Sequence, residues 1–338
     1  MSYIIHQSKT IVNTSPLLSA SPKKVELKDL KIVFLGTPEF ALPALERLIN
    51  SEYKPSAVFC APDKPVGRKQ VLTPPPTKTL AQKLDIPIYQ PANSNELAET
   101  IKSIPVDLIV SAAYGLILPK EVLEAPKFGC LNLHPSLLPK YRGASPLQST
   151  ILNGDSETGV TIYQMDEKMD TGLILINGKW QMTNDKITTP ELSSILADLG
   201  AKLLLEILPQ WIGGKIKPEP QDNSQATYTK IIKKEDGRIN WQKSAKELEQ
   251  QIRAYTPWPG SHSSLGGSQI IKILKAEAKE TSRNKQTGEI FLDEKNNLSV
   301  QAGQGYLILI ELQLEGKKPT NTQDFLRGHK EIIGKVLN

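Results

Sequence analysis

The sequence predicts an α/β fold in two parts: a doubly wound parallel sheet, then a small antiparallel barrel. Three observations predict it. Short β-rich runs alternate with amphipathic helical segments from Lys31 onward, the pattern of successive βαβ units. Runs such as VDLIVSAAY (residues 106–114) are apolar on both faces, as parallel strands covered by helices on each side must be. From about Lys233 this pattern gives way to short strands broken by turns, the habit of a curled antiparallel sheet. The first domain is therefore expected to be Rossmann-like and the second OB-like.

Taken in order, KIVFLG (31–36) is the first strand. Thr37 then offers an N-cap, Pro38 occupies the first helical position and Glu39 lies in the first turn, each a helix-start preference. The helix FALPALERLIN carries Leu42, Leu45 and Leu48 on one stripe, and its Pro43 falls early enough to be tolerated. SAVFCA (56–61) reads as a strand, TKTLAQKL (77–84) as a helix, IPIYQ (86–90) as a short strand and NELAETIKSI (95–104) as a helix. VDLIVSAAY and FGCLNLHPS (128–136) are the next strands, and SPLQSTILNG (145–154) is a helix stopped by Gly154. VTIYQM (160–165) and LILINGKW (173–180) read as paired strands, and TPELSSILADLGAKLLLEILPQW (189–211) as a long amphipathic helix. The first domain is expected over residues 31–213, a polar Gly- and Pro-rich linker over 214–232, and the barrel over 233–338.

Bulk properties narrow the function class. The 338 residues suffice for two cores. No apolar run approaches 18 residues, so no membrane span is expected. The formal charge of +5 is compatible with a polyanionic partner. Cys60 and Cys130 lie in apolar strands and read as buried thiols of a reducing compartment. There is no CxxC pair, and His6, His134, His262 and His329 are scattered, so no metal is expected. Residues 1–30 lack arginine and are rich in Ser, Thr and Lys; they read as a disordered leader or an early start. The cytoplasm is the default location, and an organelle follows only if this leader is a transit peptide.

In an open parallel sheet, ligands bind beyond the carboxyl ends of the strands, near the reversal of strand order. That rule nominates the loops after residues 36, 61, 113 and 134. In CLNLHPSLLPKYRG (130–143), the period of two turns Leu131 and Leu133 one way and Asn132 and His134 the other. The loop after Gly36 lacks G-x-G-x-x-G, and neither GxxxxGK[ST] nor GxSxG occurs, which excludes dinucleotide, P-loop and serine-hydrolase readings. The loop APDKPVGRKQVLTPPPTK (61–78) is long and carries Lys64, Arg68, Lys69 and Lys78 against Asp63, as an arm contacting phosphates would. DEKMDTG (166–172) places Asp170 before a turn, where it gains meaning only if the fold brings it to His134.

FLGTPEF, PDKPVGR, AYGLILP (113–119), NLHPSLLPKYRG and MDTG, in this order and spacing, resemble the 10-formyltetrahydrofolate-dependent formyltransferases from about residue 31 to 325. The resemblance implies a catalytic trio of Asn132, His134 and Asp170. It implies a folate-contacting turn at Ser136, Leu137, Leu138 and Pro139, and a pterin wall from the backbone of Ala113, Tyr114, Gly115, Leu116, Ile117 and Leu118. The donor is then 10-formyltetrahydrofolate, leaving as tetrahydrofolate, with no metal. The chemistry agrees: an amine attacking a formyl carbon needs hydrogen-bond donors for the oxyanion and a near-neutral base for its proton.

The acceptor is the finer question. Formyltransferases of small amines usually end after the catalytic domain, whereas here 17 Lys and Arg stand against 13 Asp and Glu from Lys233 to Asn338, a net of +4. A basic barrel suits an RNA backbone. The loop PDKPVGR resembles the one with which tRNA-formylating members grip the acceptor arm, with Arg68, Lys64 and Lys69 as its contacts; Lys233 and Lys234 are further candidates. The resemblance thus implies initiator methionyl-tRNA as the acceptor; a monomer is expected. A small-amine or sugar-nucleotide acceptor, or a non-catalytic folate- or RNA-binding module, stand as alternatives.

Overall fold

β1 (Ile32–Gly36) is the hub of a seven-stranded sheet. In the computed structural model, which describes residues 29–67, 69–267, 269–281 and 283–338, β1 pairs in parallel with β2 (Ala57–Phe59) on one side and β6 (Leu108–Ala112) on the other. The expected leader, but for its last two residues, lies outside the described residues, as does Arg68. β5 (Ile88–Tyr89) and β7 (Cys130–His134) extend the parallel sheet, and β9 (Glu157–Gln164) and β10 (Leu173–Gln181) add an antiparallel edge, giving the order β10–β9–β7–β6–β1–β2–β5. The chain steps outward from β1 to β5, then returns across β1 to β6 and β7. That reversal places a crevice at the carboxyl ends of β1 and β6.

Helices cover both faces. Val33, Leu35, Phe59, Ile109 and Cys130 pack with Leu97 and Ile101 of α3 (Ser94–Lys102) and with Val122 of α4 (Lys120–Leu123). On the other face Leu133 and Val160 meet α6 (Thr189–Ile212) at Gly200, where an added Cβ would lie 3.3 and 3.1 Å from them. Asp198 of α6 binds Arg47 of α1 (Leu42–Ile49) at 2.7 Å. Gly36, expected to end β1, has no room for a side chain: its Cβ would lie 2.6 Å from the Phe34 ring and 2.7 Å from Ala41.

Two expectations change. Thr37 does not cap α1, which follows a 3₁₀ turn at Glu39–Ala41. Its hydroxyl instead donates to the Tyr114 carbonyl (3.0 Å) and accepts from Ala61 N–H (3.1 Å), tying together the loops after β1, β2 and β6. The long loop after β2 contains a hairpin, β3 (Lys64–Val66) and β4 (Val71–Thr73), before α2 (Pro76–Gln82). Pro65 and the brevity of these strands hid it in the sequence.

Among the described residues, 29–143 with 157–181 and 193–228 form one unit; 144–156, 182–192 and 229–338 form another. The polar segment from 214 is not a free tether. Glu219 and Ile174 exchange two main-chain hydrogen bonds of 2.8 Å, and the Thr227 carbonyl accepts from Arg142 N–H of the two-residue strand β8 (Arg142–Gly143) at 2.9 Å. β11 (Tyr228–Thr229) follows it.

In the second unit α5 (Pro146–Leu152) packs on α7 (Ala245–Ala254). Ser244 starts α7 with a capping box, accepting from Glu247 N–H while the Glu247 carboxylate accepts from Ser244. β12 (Ser261–Leu265), β13 (Gln269–Lys279), β16 (Tyr306–Leu314), β15 (Leu298–Gln301) and β14 (Ile290–Leu292) make an antiparallel sheet in that order, with β17 (Thr320–Asn321) on β16 and α8 (Thr322–Gly328) after it. Ser264 and Asn338 exchange main-chain bonds, and Ile290 bonds Lys335 and Gly334, so residues 334–338 join the two edges and curl the sheet into a small barrel. Its core holds Ile271, Ile273, Val300, Leu307, Leu309 and Leu312 against Leu248 and Ile252 of α7.

Candidate active site

β7 delivers Asn132 and His134 to the carboxyl edge of the sheet, on the face opposite Leu133. In the antiparallel register with β9, Asn132 lies opposite Tyr163 and His134 opposite Thr161. Thr161 anchors the turn after β7: its hydroxyl accepts from Leu138 N–H (2.9 Å) and donates to the Ser136 carbonyl (2.7 Å), while Ser136 Oγ bonds the Lys140 carbonyl at 2.5 Å. The turn swings Tyr141 into the left-handed region (φ 62°), and its carbonyl meets His134 Nε2 at 2.9 Å. A carbonyl only accepts, so Nε2 carries the proton and Nδ1 of the neutral ring is bare.

Nδ1 faces Asp170 Oδ1 at 3.7 Å, beyond hydrogen-bond range. Asp170 is itself left-handed (φ 55°), a conformation that aspartate tolerates better than most residues. Its Oδ2 accepts from Gly143 N–H at 2.6 Å and its Oδ1 from the Tyr163 hydroxyl at 2.7 Å; Tyr163 accepts from Asn132 Nδ2 at 3.2 Å. The turn is also gripped from behind. Gln221 Nε2 donates to the carbonyls of Asp170 (2.9 Å) and Gly172 (2.8 Å), and Gln221 Oε1 accepts from the guanidinium of Arg142, which is 1% exposed. Arg142 also reaches Asn223 and Tyr228, so a buried cation is matched by four donor bonds.

Burial dominates His134. It is 4% exposed, and loss of hydration pulls its titration below the usual 6.5 despite the opposing pull of Asp170 and of the Tyr141 carbonyl. The ring is therefore a neutral base at pH 7. Tyr163 is pushed well above its ordinary 10 by burial and by Asp170, so its phenol keeps its proton.

The family model described as formyl transferase matches residues 30–208, and the one described as formyl transferase, C-terminal domain, matches residues 231–330. The chain belongs to the formyl transferase family. It is similar to the methionyl-tRNA formyltransferase of Rickettsia bellii (strain RML369-C), 45% identical over 310 residues, covering 91% of this chain and 100% of that protein. Among solved structures it is similar to an N-formyltransferase from Helicobacter canadensis in complex with folinic acid and dTDP-3-aminofucose (TM-score 0.62, 22% identity, 83% of this chain and 98% of that one). It is also similar to a variant of HypX from Aquifex aeolicus (TM-score 0.63, 17% identity), covering 89% of this chain but spanning only 48% of HypX.

In this formyl transferase, Asn132, His134 and Asp170 are brought together. The segment expected as the pterin wall divides: Tyr114 and Leu118 are buried in the core, while Ala113, Gly115 and Ile117 are exposed, Ile117 at 71%, and Leu116 is half-buried. Ala113 and Gly115 have φ of 49° and 95°, which turns the backbone outward at the end of β6. In the second turn Ser136 and Leu138 are buried and Leu137 and Pro139 half-buried. Lys64 and Lys69 are exposed on the hairpin with Val66, Val71 and Leu72; Lys233 and Lys234 are exposed in the second unit. Sequence reasoning missed Tyr163 and Gln221. Tyr163 read as one more apolar strand residue, and Gln221 lay in an aperiodic stretch; only cross-strand register and the return of 219–228 reveal them.

Gly172 gives a direct test of how tightly the turn is held. A Cβ there would lie 1.8 Å from the Gln164 carbonyl, so Gly172→Ala must displace the turn that carries Asp170. Displacements of about 1 Å cost on the order of 100-fold in rate. The expected outcome is a loss of kcat of that order in a formyl-transfer assay, with near-native circular dichroism.

Proposed function

We propose that this chain transfers the formyl group of 10-formyltetrahydrofolate to the methionine amino group of initiator methionyl-tRNA. The observation that carries this reading is the convergence of Asn132, His134 and Asp170 in a chain that matches a methionyl-tRNA formyltransferase along 91% of its length. The donor fits the residues present: exposed apolar Ile117 beside outward-turned backbone at Ala113 and Gly115 suits a flat heterocycle with donor and acceptor edges.

The neutral amine attacks the formyl carbon, and negative charge builds on the formyl oxygen. Asn132 Nδ2, with one N–H given to Tyr163, retains a second for that oxygen, a contribution of about 3 kcal/mol for a well-placed donor. The amine proton passes to His134 Nδ1, and Asp170 faces the imidazolium so formed at 3.7 Å. The same proton then moves to the folate nitrogen as its bond to the formyl carbon breaks. His134 cannot donate through Nε2 while that N–H is held by Tyr141, so its donor role arises only after Nδ1 is protonated.

Acceptor choice is assigned to the hairpin, whose Lys64 and Lys69 project with three exposed apolar side chains, and to Arg68 between them. Lys233 and Lys234 are assigned supporting phosphate contacts. The reading is tested by offering labelled 10-formyltetrahydrofolate with initiator methionyl-tRNA, glycinamide ribonucleotide or an amino-sugar nucleotide. Label is expected on the tRNA alone; label on a small amine with none on tRNA overturns it. Replacing Lys64 and Lys69 with alanine is expected to raise KM for tRNA severalfold and to reduce the slope of log affinity against log salt concentration by about one per lost phosphate contact. Folate affinity, read by fluorescence titration, stays unchanged.

A further inference from the structure

Tyr163 has no part in the proton path above, yet its hydroxyl touches two members of the trio. It sits on β9 directly opposite Asn132 and is 2% exposed. Its oxygen lies 2.7 Å from Asp170 Oδ1 and 3.2 Å from Asn132 Nδ2. A phenol has one proton, and a carboxylate only accepts, so that proton goes to Asp170. The phenol oxygen is left as an acceptor, and Asn132 must present its amide nitrogen rather than its carbonyl. The hydrogen-bond count thus fixes the Asn132 amide with nitrogen toward Tyr163 and Asp170.

The same bond competes for the acid. Asp170 Oδ1 serves Tyr163 at 2.7 Å and stands 3.7 Å from His134 Nδ1, while Oδ2 is held by Gly143. Were the hydroxyl absent, Oδ1 would lose its donor and be free to close on His134 as Nδ1 takes a proton, which favours the protonated ring.

We propose that Tyr163 is a positioning residue of the formyl-transfer site, whose hydroxyl sets the orientation of the Asn132 amide and holds Asp170 off His134 until the ring takes a proton. The inference rests on the reading in which Asn132, His134 and Asp170 carry the reaction. A base whose acid partner is kept at 3.7 Å stays neutral near pH 7; a closed pair would hold the ring protonated and unable to accept from the amine.

The test is Tyr163→Phe, which removes one buried oxygen and keeps the ring. The other charged groups on the elements packed around the pair are Asp166, Glu167 and Lys168 on the turn of Asp170, Lys140 and Arg142 on the turn after β7, and Glu219 on the returning segment. The substitution leaves all of them in place, so a moved pH profile reports the Asp170–His134 pair. The expected result is a fall in kcat of about tenfold and an acid limb of kcat/KM moved upward by about 0.5–1 pH unit, in line with a carboxylate drawn closer to a cation. The imidazole resonances of His134, followed by NMR against pH, are expected to move the same way. In Asp170→Asn, adding Tyr163→Phe is expected to leave the limb where the single variant has it, because the coupled partner is gone.

An unchanged limb overturns the proposal, whether kcat is unaltered or falls together with the melting temperature as for a merely structural hydroxyl. An equal upward shift in the Asp170→Asn background overturns it as well. If Asp170→Asn transfers formyl as fast as the parent, the catalytic reading itself fails, an outcome distinct from an impaired Asp170→Asn beside an unaffected Tyr163→Phe.

Discussion

Replacing His134 with alanine is expected to lower kcat/KM for formyl transfer by at least about 100-fold, the lower end of what a positioned general base supplies and about 2.7 kcal/mol of transition-state stabilisation. The loss falls on kcat, because the ring meets the Tyr141 carbonyl and faces Asp170 while the basic hairpin assigned to tRNA is a separate element. Filter binding of tRNA should therefore be unchanged, and equal single-turnover rates in parent and variant would remove His134 from the mechanism. The parent carries a matching pH signature. Burial holds His134 below 6.5, so kcat/KM should be level above about 6.5 and decline only in a window below it, as Nδ1 takes a proton. Stability follows the same sign. Between the folded and unfolded titrations the unfolded chain binds more protons, so the contribution of His134 is full above about 6.5 and is lost as pH falls through that window. Chemical denaturation at stepped pH checks it: the parent should lose stability there more steeply than His134→Ala.

Much of the fold was legible because its signals are local. The apolar runs at 32–36, 108–112 and 130–134 became parallel strands, and the alternation in CLNLH put Asn132 and His134 on one face. Where sequence reading failed, the deciding interaction joined residues far apart. Thr37 had the credentials of an N-cap but was recruited by Tyr114 and Ala61, so a tertiary partner outbid a local one. Residues 214–232 looked like a tether because they lack periodicity; their bonds go to partners scattered along the chain, Ile174, Tyr141, Arg142 and Asp170, which leaves no repeat to read. The helix 146–152 and the segment 182–192 group with the second unit, a membership that no boundary in composition signals. At the site, the trio was nominated by strand-end position and by family resemblance, but its proton arrangement was not. The tautomer of His134 depends on the Tyr141 carbonyl and the Asn132 amide on Tyr163, both of them distances rather than residue types.

Asp170→Asn separates the charge of the acid from its place. Asparagine has nearly the same shape, and its single carbonyl can still accept from Gly143 or from Tyr163, though not from both with the present geometry. The turn should hold, since Gln221 grips it through the Asp170 and Gly172 carbonyls rather than the carboxylate. What is lost is the negative charge 3.7 Å from Nδ1. Without it, the imidazolium formed when the amine gives up its proton keeps the Tyr141 carbonyl but no anion against it, and burial already disfavours that form. The expected loss in kcat is about 100-fold. The acid limb should move further down in pH, the direction opposite to that expected for Tyr163→Phe, because one variant removes the anion from His134 and the other lets it approach. Formylation rates for both variants across pH 5–8 give the comparison, and shifts of the same sign in the two would show that Asp170 does not act through His134.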